Sequence, residues 1–208
     1  MQINRELLHK DAPIGVFDSG IGGLTVAREI MRQMPNEKII YFGDTARVPY
    51  GSKSRETVTT FSKQIIRFLK TKDVKAIVIA CNTASAFALH EVAKDADIPI
   101  IGVIEPGART ANNVTENGRV GIIATEGTVR SGTYEKVLKK INPNLKVFLK
   151  ACPLFVPLVE EGWRYDSVTY EVADRYLNDI MTYDIDTLVL GCTHYPLIRR
   201  TIQKVVGD

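Results

Sequence analysis

The chain is poor in the residues that form disulfides and metal sites. Its 208 residues include three cysteines, none in a C-x-x-C pair, and three histidines, none spaced as zinc ligands are. It has no apolar run of the about 20 residues that a membrane-spanning helix needs, and its first dozen residues lack the apolar core of a signal peptide. We therefore expect a cytoplasmic protein with free thiols, no metal and no membrane partner.

A strong excess of one charge is also absent. The formal net charge is only +3, and the basic residues are spread along segments that look like solvated helix faces. We therefore expect no nucleic-acid partner. With 45% hydrophobic residues, a chain of this length can bury a substantial core without disulfides or a structural metal.

What the chain does have is a regular alternation of short aliphatic runs and longer amphipathic stretches. Runs that are almost wholly aliphatic are typical of parallel strands covered by helices on both faces, so the pattern predicts the α/β class. The predicted strands are Ile14–Asp18, Lys38–Phe42, Ala76–Ala80, Ile100–Ile104, Arg119–Ala124, Lys146–Ala151 and Thr187–Gly191. The predicted helices are Leu24–Met34, Ser54–Lys70, Ser85–Lys94, Thr128–Ile141, Ser167–Thr182 and Tyr195–Val206.

Two stretches of the chain resemble each other closely. Residues 73–81 and 184–192 both run aspartate, β-branched residue, two variable residues, three aliphatics, one small residue and cysteine. A polar pair follows each thiol, Asn82-Thr83 in one case and Thr193-His194 in the other. The openings Ile14–Ser19 and Val120–Thr125 also share a pattern. The duplication predicts two similar units, each with one thiol at the same place.

These repeats predict two similar parallel-sheet α/β domains related by a pseudo-twofold axis, with the active site in the cleft between them. We expect the first domain to span residues 1–105 and the second residues 106–208. The boundary is expected near Glu105-Pro106-Gly107, because proline and glycine interrupt the chain directly after a predicted strand. Ligands of open α/β sheets bind beyond the carboxyl ends of the strands, where both cysteines lie.

Cys81 and Cys192 are the main candidates for chemistry. Each lies between a strand and the start of a helix, a position that can lower a thiol pKa well below about 8.5. A single cysteine of this kind is more often a buried small hydrophobe, but two at equivalent positions favour a function. Together, two thiols can remove a proton from one face of a carbon and return one to the other face. Cys152 lacks this context, so we expect it to be structural.

Three other residues could assist the thiols. Asp18 ends a strand before Ser19-Gly20-Ile21-Gly22-Gly23, whose backbone N–H groups can hold an anion, although a helix cap is an equally good interpretation of Asp18. His194 could exchange a proton with a thiol or simply pack. The position of Glu160 favours neither a function nor a solvated side chain. No G-x-G-x-x-G or phosphate-loop spacing is present, so the sequence does not support a dinucleotide site.

Five motifs, in the same order along essentially the whole chain, resemble the glutamate racemases of the aspartate/glutamate racemase superfamily. Together they are far more specific than any one of them. They are Phe17-Asp18-Ser19-Gly20-Ile21-Gly22-Gly23-Leu24, Asp44-Thr45-Ala46-Arg47-Val48-Pro49-Tyr50-Gly51, Ala80-Cys81-Asn82-Thr83-Ala84-Ser85, Cys152-Pro153-Leu154-Phe155-Val156-Pro157-Leu158-Val159-Glu160 and Gly191-Cys192-Thr193-His194-Tyr195-Pro196.

The resemblance implies a cofactor-independent enzyme that interconverts L- and D-glutamate and supplies D-glutamate for bacterial peptidoglycan, as a homodimer. It implies that Cys81, assisted by Asp18, exchanges the Cα proton on the D-glutamate side. Cys192, assisted by Glu160 and His194, would do so on the L-glutamate side. The substrate-binding positions that the resemblance implies are Asp18, Ser19, Tyr50, Gly51, Asn82, Thr83, Thr125, Thr193 and His194.

Two alternatives to glutamate racemisation stay open at this point. One is another amino-acid racemase of the superfamily, such as an aspartate racemase. The other is a truncated ligand-binding or regulatory module without turnover, because the chain stops soon after the second cysteine motif. We expect the family's C-terminal segment, which returns to the first domain, to be absent. The intact pair Cys81 and Cys192 argues against a pure binding module, which has no need of two thiols.

Overall fold

The computed structural model describes residues 10–94 and 96–207, and the chain divides into two compact units between Val103 and Ile104. Each unit is built around a parallel sheet. The predicted fold class, two parallel-sheet α/β domains, is therefore confirmed. Within the described residues, no helix is long and apolar enough to cross a membrane.

The first unit contains a sheet with the strand order β2-β1-β3-β4, in which every pairing is parallel. Its strands are β1 (Ile14–Asp18), β2 (Ile39–Gly43), β3 (Ala76–Ile79) and β4 (Ile100–Gly102). Its helices are α1 (Leu24–Gln33), α2 (Arg55–Lys70), α3 (Asn82–Phe87) and α4 (Leu89–Lys94), with a 3₁₀ turn at Thr45–Arg47.

The second unit contains a parallel sheet with the strand order β6-β5-β7. Its strands are β5 (Arg119–Ala124), β6 (Lys146–Ala151) and β7 (Thr187–Gly191). Its helices are α5 (Ile104–Val114), α6 (Glu126–Ser131), α7 (Thr133–Ile141), α8 (Phe155–Glu160), α9 (Ser167–Met181) and α10 (Arg199–Val206), with a 3₁₀ turn at Tyr195–Ile198.

The duplication seen in the sequence extends to the backbone. In each unit the opening strand lies between the second strand and the strand that leads to the cysteine, as β2-β1-β3 and as β6-β5-β7. Asp73 and Asp184, which begin the two repeats, both adopt left-handed backbone conformations, with φ of 52° and 53°. Aspartate is one of the few side chains that tolerate this conformation in single residues. Each thus turns the chain sharply before it enters the strand that leads to the cysteine.

Each unit has its own apolar core. In the first, Ile77 and Ile79 of β3 pack with Leu69 of α2. In the second, Ile123 of β5 packs with Leu177 of α9 and with other buried side chains. Burial of one such side chain stabilises the fold by about 1.5–3 kcal/mol, so the sheets form firm platforms for the residues at their carboxyl ends.

The structure departs from the predicted elements at helix ends. The predicted helix over residues 85–94 begins at Asn82 and is two helices, α3 and α4. The helix predicted over residues 128–141 also divides, because Gly132 adopts a left-handed conformation with φ of 64°. The predicted strand Ile100–Ile104 ends at Gly102, and Pro106 lies in the first turn of α5, where its missing N–H group has no intrahelical partner to lose. The same tolerance lets α8 include Pro157.

Candidate active site

Asp18 lies fully buried at the carboxyl end of β1. Its Oδ2 accepts hydrogen bonds from the N–H groups of Gly20, at 3.0 Å, and Gly23, at 3.1 Å. A Cβ at position 23 would lie 2.4 Å from the Cβ of Asp18, so only glycine fits there. Asp18 thus occupies two of the loop N–H groups that the sequence offered for an anion.

Cys81 is the N-cap residue of α3, directly after β3 and Ala80. Its Sγ accepts a hydrogen bond from the N–H of Ala84 at 3.4 Å and lies 3.8 Å from the Oγ of Ser19. The side chain is almost completely buried. The thiol of the third motif therefore lies beside residues of the first, as expected for the carboxyl edge of one parallel sheet.

The expectation that the helix start lowers the thiol pKa is wrong for Cys81. Burial, together with the negative charge of Asp18, raises its pKa to about 12, although the Ala84 N–H and the Ser19 hydroxyl act in the opposite direction. Desolvation disfavours the thiolate more than these donors favour it, and the six-residue α3 is a short helix. The raised pKa therefore favours the thiol form of Cys81 over the thiolate at neutral pH.

Tyr50, from the second motif, is also buried in the first unit. Its hydroxyl donates a hydrogen bond to the carboxylate of Asp44, and burial, followed by this bond, raises its pKa far above the usual range. Asp44 follows β2 just as Ser19 follows β1, and its N–H donates to the carbonyl of Asp18 at 3.0 Å. Asp44 belongs to the second motif, but we predicted no role for it from the sequence. The signal that could have identified it is an acidic residue directly after a strand.

Cys192 lies at the equivalent place in the second unit, directly after β7. Its Sγ is 3.9 Å from the Nδ1 of His194, whose Nε2 is 2.6 Å from the Oε1 of Glu160, the last residue of α8. In a neutral imidazole, donation from Nε2 to Glu160 leaves the lone pair of Nδ1 directed toward the thiol. Glu160, His194 and Cys192 thus form a chain that can take up the thiol proton.

Close packing explains why a small residue precedes each cysteine. A Cβ at Gly191 would lie 2.9 Å from the carbonyl oxygen of Ile123 and 3.3 Å from the ring of Tyr134. The strand can therefore pass close to β5 and α7 only with glycine there. In the first unit, Ala80 is completely buried at the same place in the repeat.

The remaining candidates lie at the same two edges. In the first unit, Asn82 and Thr83 form the buried first turn of α3. In the second unit, Thr125 caps α6 by accepting a hydrogen bond from the N–H of Thr128 at 3.4 Å, and the buried Thr193 has its Oγ1 3.5 Å from the Nδ1 of His194. The structure therefore gathers the predicted residues into one group in each unit, and each group holds one thiol.

Cys152 has different surroundings. It is completely buried after β6, and its Sγ lies 3.8 Å from the carbonyl oxygen of Lys150. Burial raises its pKa to about 12. Its own carbonyl accepts a hydrogen bond from the Tyr195 hydroxyl at 2.9 Å. In the part of the chain that the structure describes, no group of three or more histidine, cysteine, aspartate or glutamate side chains is arranged to hold a metal ion.

Comparison with known proteins gives one consistent family. The Asp/Glu/Hydantoin racemase family profile matches residues 14–208. A curated glutamate racemase of Geobacter metallireducens is 57% identical over 195 residues, which are 94% of this chain and 72% of that protein. One from Oceanobacillus iheyensis is 51% identical over 95% of this chain and 73% of its own length.

Solved structures agree with the sequence comparison. A glutamate racemase of Bacillus anthracis has a TM-score of 0.94 at 47% identity, over 96% of this chain and 75% of that one. The Francisella tularensis glutamate racemase in complex with D-glutamate has a TM-score of 0.88 at 47% identity, over 95% and 74%. An aspartate racemase of Picrophilus torridus, at 19% identity and a TM-score of 0.66, shares the fold alone.

Proposed function

We propose that this chain, which belongs to the Asp/Glu/Hydantoin racemase family, interconverts L- and D-glutamate. The resemblance carried by the five motifs is confirmed, and the enzyme class is an isomerase. The observation that carries the substrate is the identity of 57% to a glutamate racemase over 94% of this chain. The solved relatives include a complex with D-glutamate, which supports a small-molecule substrate.

We infer that Cys81 and Cys192 exchange the Cα proton on opposite faces of the substrate. From L-glutamate, the Cys192 thiolate would remove the Cα proton while the Cys81 thiol donates its own proton to the other face, which yields D-glutamate. Cys192 then carries the proton and Cys81 the charge, so the reverse reaction starts from the exchanged states. The raised pKa of Cys81 supports this assignment, because it keeps Cys81 as the acid for the L-to-D direction.

The neighbours of each thiol have matching roles in this proposal. His194, held by Glu160, would take the proton of Cys192 and so produce its thiolate. Asp18 would take up the proton of Cys81 when D-glutamate is the substrate. It must act there as a proton acceptor, because its negative charge by itself disfavours the Cys81 thiolate. General acid–base catalysis contributes about 10²–10⁴-fold, so other interactions must also stabilise the carbanion-like transition state.

Those interactions would come from buried hydrogen-bond donors. Hydroxyls in a site that excludes water stabilise developing negative charge more strongly than they would in water. The donors available next to the thiols are Ser19, Thr83, Thr125 and Thr193. We propose that Thr125 helps to hold the α-carboxylate and that Asp18, Ser19, Tyr50, Gly51, Asn82, Thr83, Thr193 and His194 make the other substrate contacts.

The cellular setting follows from the product. D-glutamate is a component of bacterial peptidoglycan, so we propose that the enzyme supplies cell-wall synthesis in the cytoplasm, as a homodimer and without a cofactor. The homodimer can be checked by light scattering on the eluting protein, which should give twice the mass of the 23.1 kDa chain.

The activity is tested by circular dichroism of L-glutamate and of D-glutamate, each incubated with the purified protein and no added cofactor. We expect both signals to decay to zero, and the signals of L- and D-aspartate to persist. Stable glutamate signals with a folded protein would contradict the proposed function. Equal decay of the aspartate signals would instead identify the shorter amino acid aspartate as a substrate.

A further inference from the structure

Contacts among the side chains of Asp44, Arg47 and Tyr50 hold together the segment between β2 and α2. Asp44 begins it and is only 5% exposed, and it accepts a hydrogen bond from the hydroxyl of Tyr50. The Nε of Arg47 lies 2.7 Å and 2.9 Å from the two carboxylate oxygens of Asp44. The N–H of Arg47 also donates to the carbonyl of Asp44 at 3.0 Å. Asp44 therefore links Arg47 to Tyr50.

Helix α2 holds this segment from outside. The guanidinium of Arg47 lies 4.0 Å from the ring centroid of Phe61, and its Nη1 donates to Oε1 of Gln64 at 2.6 Å. The Tyr50 ring also packs on Phe61, with centroids 5.7 Å apart. A stacked guanidinium with several donors keeps a fixed orientation, which a lysine ammonium does not. The orientation of Arg47 is therefore set by Asp44 on one side and by α2 on the other.

The charge of Arg47 also matters for the thiol. A buried carboxylate is costly unless it is paired and hydrogen-bonded. Asp44 lies beside the loop that follows β1, since its N–H donates to the carbonyl of Asp18 at 3.0 Å, and Ser19 of that loop lies 3.8 Å from the Cys81 thiol. Without Arg47, Asp44 would add an uncompensated negative charge beside a site that must accept an anionic substrate.

We propose that Arg47 is a positioning residue for racemisation: it neutralises Asp44 and fixes it, so that Tyr50 and the adjoining Gly51 keep the geometry that binds substrate. This inference rests on the proposed function, which places Tyr50 and Gly51 at the substrate. Arg47 itself acts through Asp44 and touches no reacting atom. Its role is therefore in substrate binding more than in the chemical step.

The test is the kinetics of the Arg47→Met variant with each enantiomer. We expect KM to rise about tenfold or more with both L- and D-glutamate, because a charge-assisted contact is lost, while kcat stays within about twofold. Arg47→Lys keeps the charge but not the fixed fork of donors, so its KM should lie between those of the wild type and Arg47→Met.

The matched control is Arg55→Met in the same unit. Arg55 also stacks on a phenylalanine, 4.8 Å from the centroid of Phe87, and also makes a hydrogen bond, to the Phe87 carbonyl. Neither of these two contacts involves Asp44. The Arg55→Met variant therefore removes the same charge and the same kind of stacking at another place in the unit. Its KM should stay within about twofold of the wild type. Equal KM changes in the two variants would overturn the role of Arg47.

A second variant separates positioning from simple destabilisation. Asp44→Asn combined with Arg47→Met removes the negative charge that Arg47 neutralises, so KM should return to within about threefold of the wild type. KM effects that multiply as if the two sites were independent would contradict action through Asp44. If the wild-type protein itself does not racemise glutamate, the proposed function fails. If it racemises and Arg47→Met keeps a normal KM, only this inference fails.

Discussion

At the residue scale, the two thiols differ in what surrounds them. Cys81 lies near the buried carboxylate of Asp18, and its pKa is raised to about 12. Cys192 lies 3.9 Å from an imidazole nitrogen that can accept a proton. The two members of the proposed acid–base pair therefore depend on different partners, an anion on one side and a histidine on the other.

This difference predicts that a substitution of His194 slows the two directions of the reaction unequally. In His194→Asn, Cys192 loses its proton acceptor, and we expect kcat from L-glutamate to fall by about 10²-fold. We expect a smaller fall from D-glutamate, where Cys81 removes the proton. The measurement is kcat in each direction, because the equilibrium constant forces the two kcat/KM values to change together. A larger loss of kcat from D-glutamate would contradict the assignment of sides.

The residue scale also shows where sequence reasoning reaches its limit. The duplicated pattern was enough to single out Cys81 and Cys192, because equal placement in two repeats is hard to explain by packing. The raised pKa of Cys81 could not be predicted, since it depends on how completely other segments bury the thiol. The role of Arg47 was equally hidden, because Phe61 and Gln64, which orient it, meet it only in the folded chain.

At the element scale, strands were easier to predict than helix ends. A short run rich in aliphatic residues marks a parallel strand directly, so β1, β5, β6 and β7 begin and end at the predicted residues. Helices that break within a continuous amphipathic pattern depend on one backbone angle, as at Gly132. The whole of α5 was missed, because proline and glycine in its first turn resemble a loop in sequence.

A contact between the end of α5 and the start of β7 makes the stability of the fold depend on pH. Just before β7, Asp186 accepts hydrogen bonds from the Thr115 hydroxyl at 2.6 Å and from the N–H groups of Glu116 and Asn117, at 2.6 and 2.7 Å. Burial alone would raise the Asp186 pKa, but these bonds outweigh it and lower the pKa to about 2. The aspartate thus joins the end of α5 to the start of β7.

The lowered pKa fixes the sign of the pH effect. The stabilising contribution of Asp186 is complete above the unfolded-state pKa of about 3.9 and is lost as pH falls through about 2. Asp186→Asn should therefore lower the free energy of unfolding at pH 7 by about 1 kcal/mol, a value reduced for the exposure of this side chain to solvent. The difference from the wild type should shrink as pH falls from 4 to 2.

Asp184→Asn is the control for this effect. It removes the same charge two residues away, and asparagine tolerates the left-handed conformation that Asp184 adopts. Urea unfolding at several pH values measures both variants. A cost of Asp186→Asn that stays constant down to pH 2, or an equal cost in Asp184→Asn, would contradict the assignment.

At the scale of the whole molecule, the chain is a pair of similar units that each carry one thiol. The repeated strand order, the left-handed Asp73 and Asp184, and the small residue before each cysteine all belong to this duplication. The sequence was sufficient to predict it, because repeats are visible without coordinates. A reaction that needs an acid and a base on opposite faces of one carbon gives both units a reason to keep their cysteine.

The most direct test of this account compares three cysteine variants by circular dichroism of L- and D-glutamate. Cys81→Ala and Cys192→Ala should each abolish racemisation in both directions, while Cys152→Ala, with its thiol in the apolar core, should keep most of the wild-type rate. Thermal unfolding of each variant confirms that it is folded. Full racemisation by either Cys81→Ala or Cys192→Ala would contradict the two-thiol mechanism.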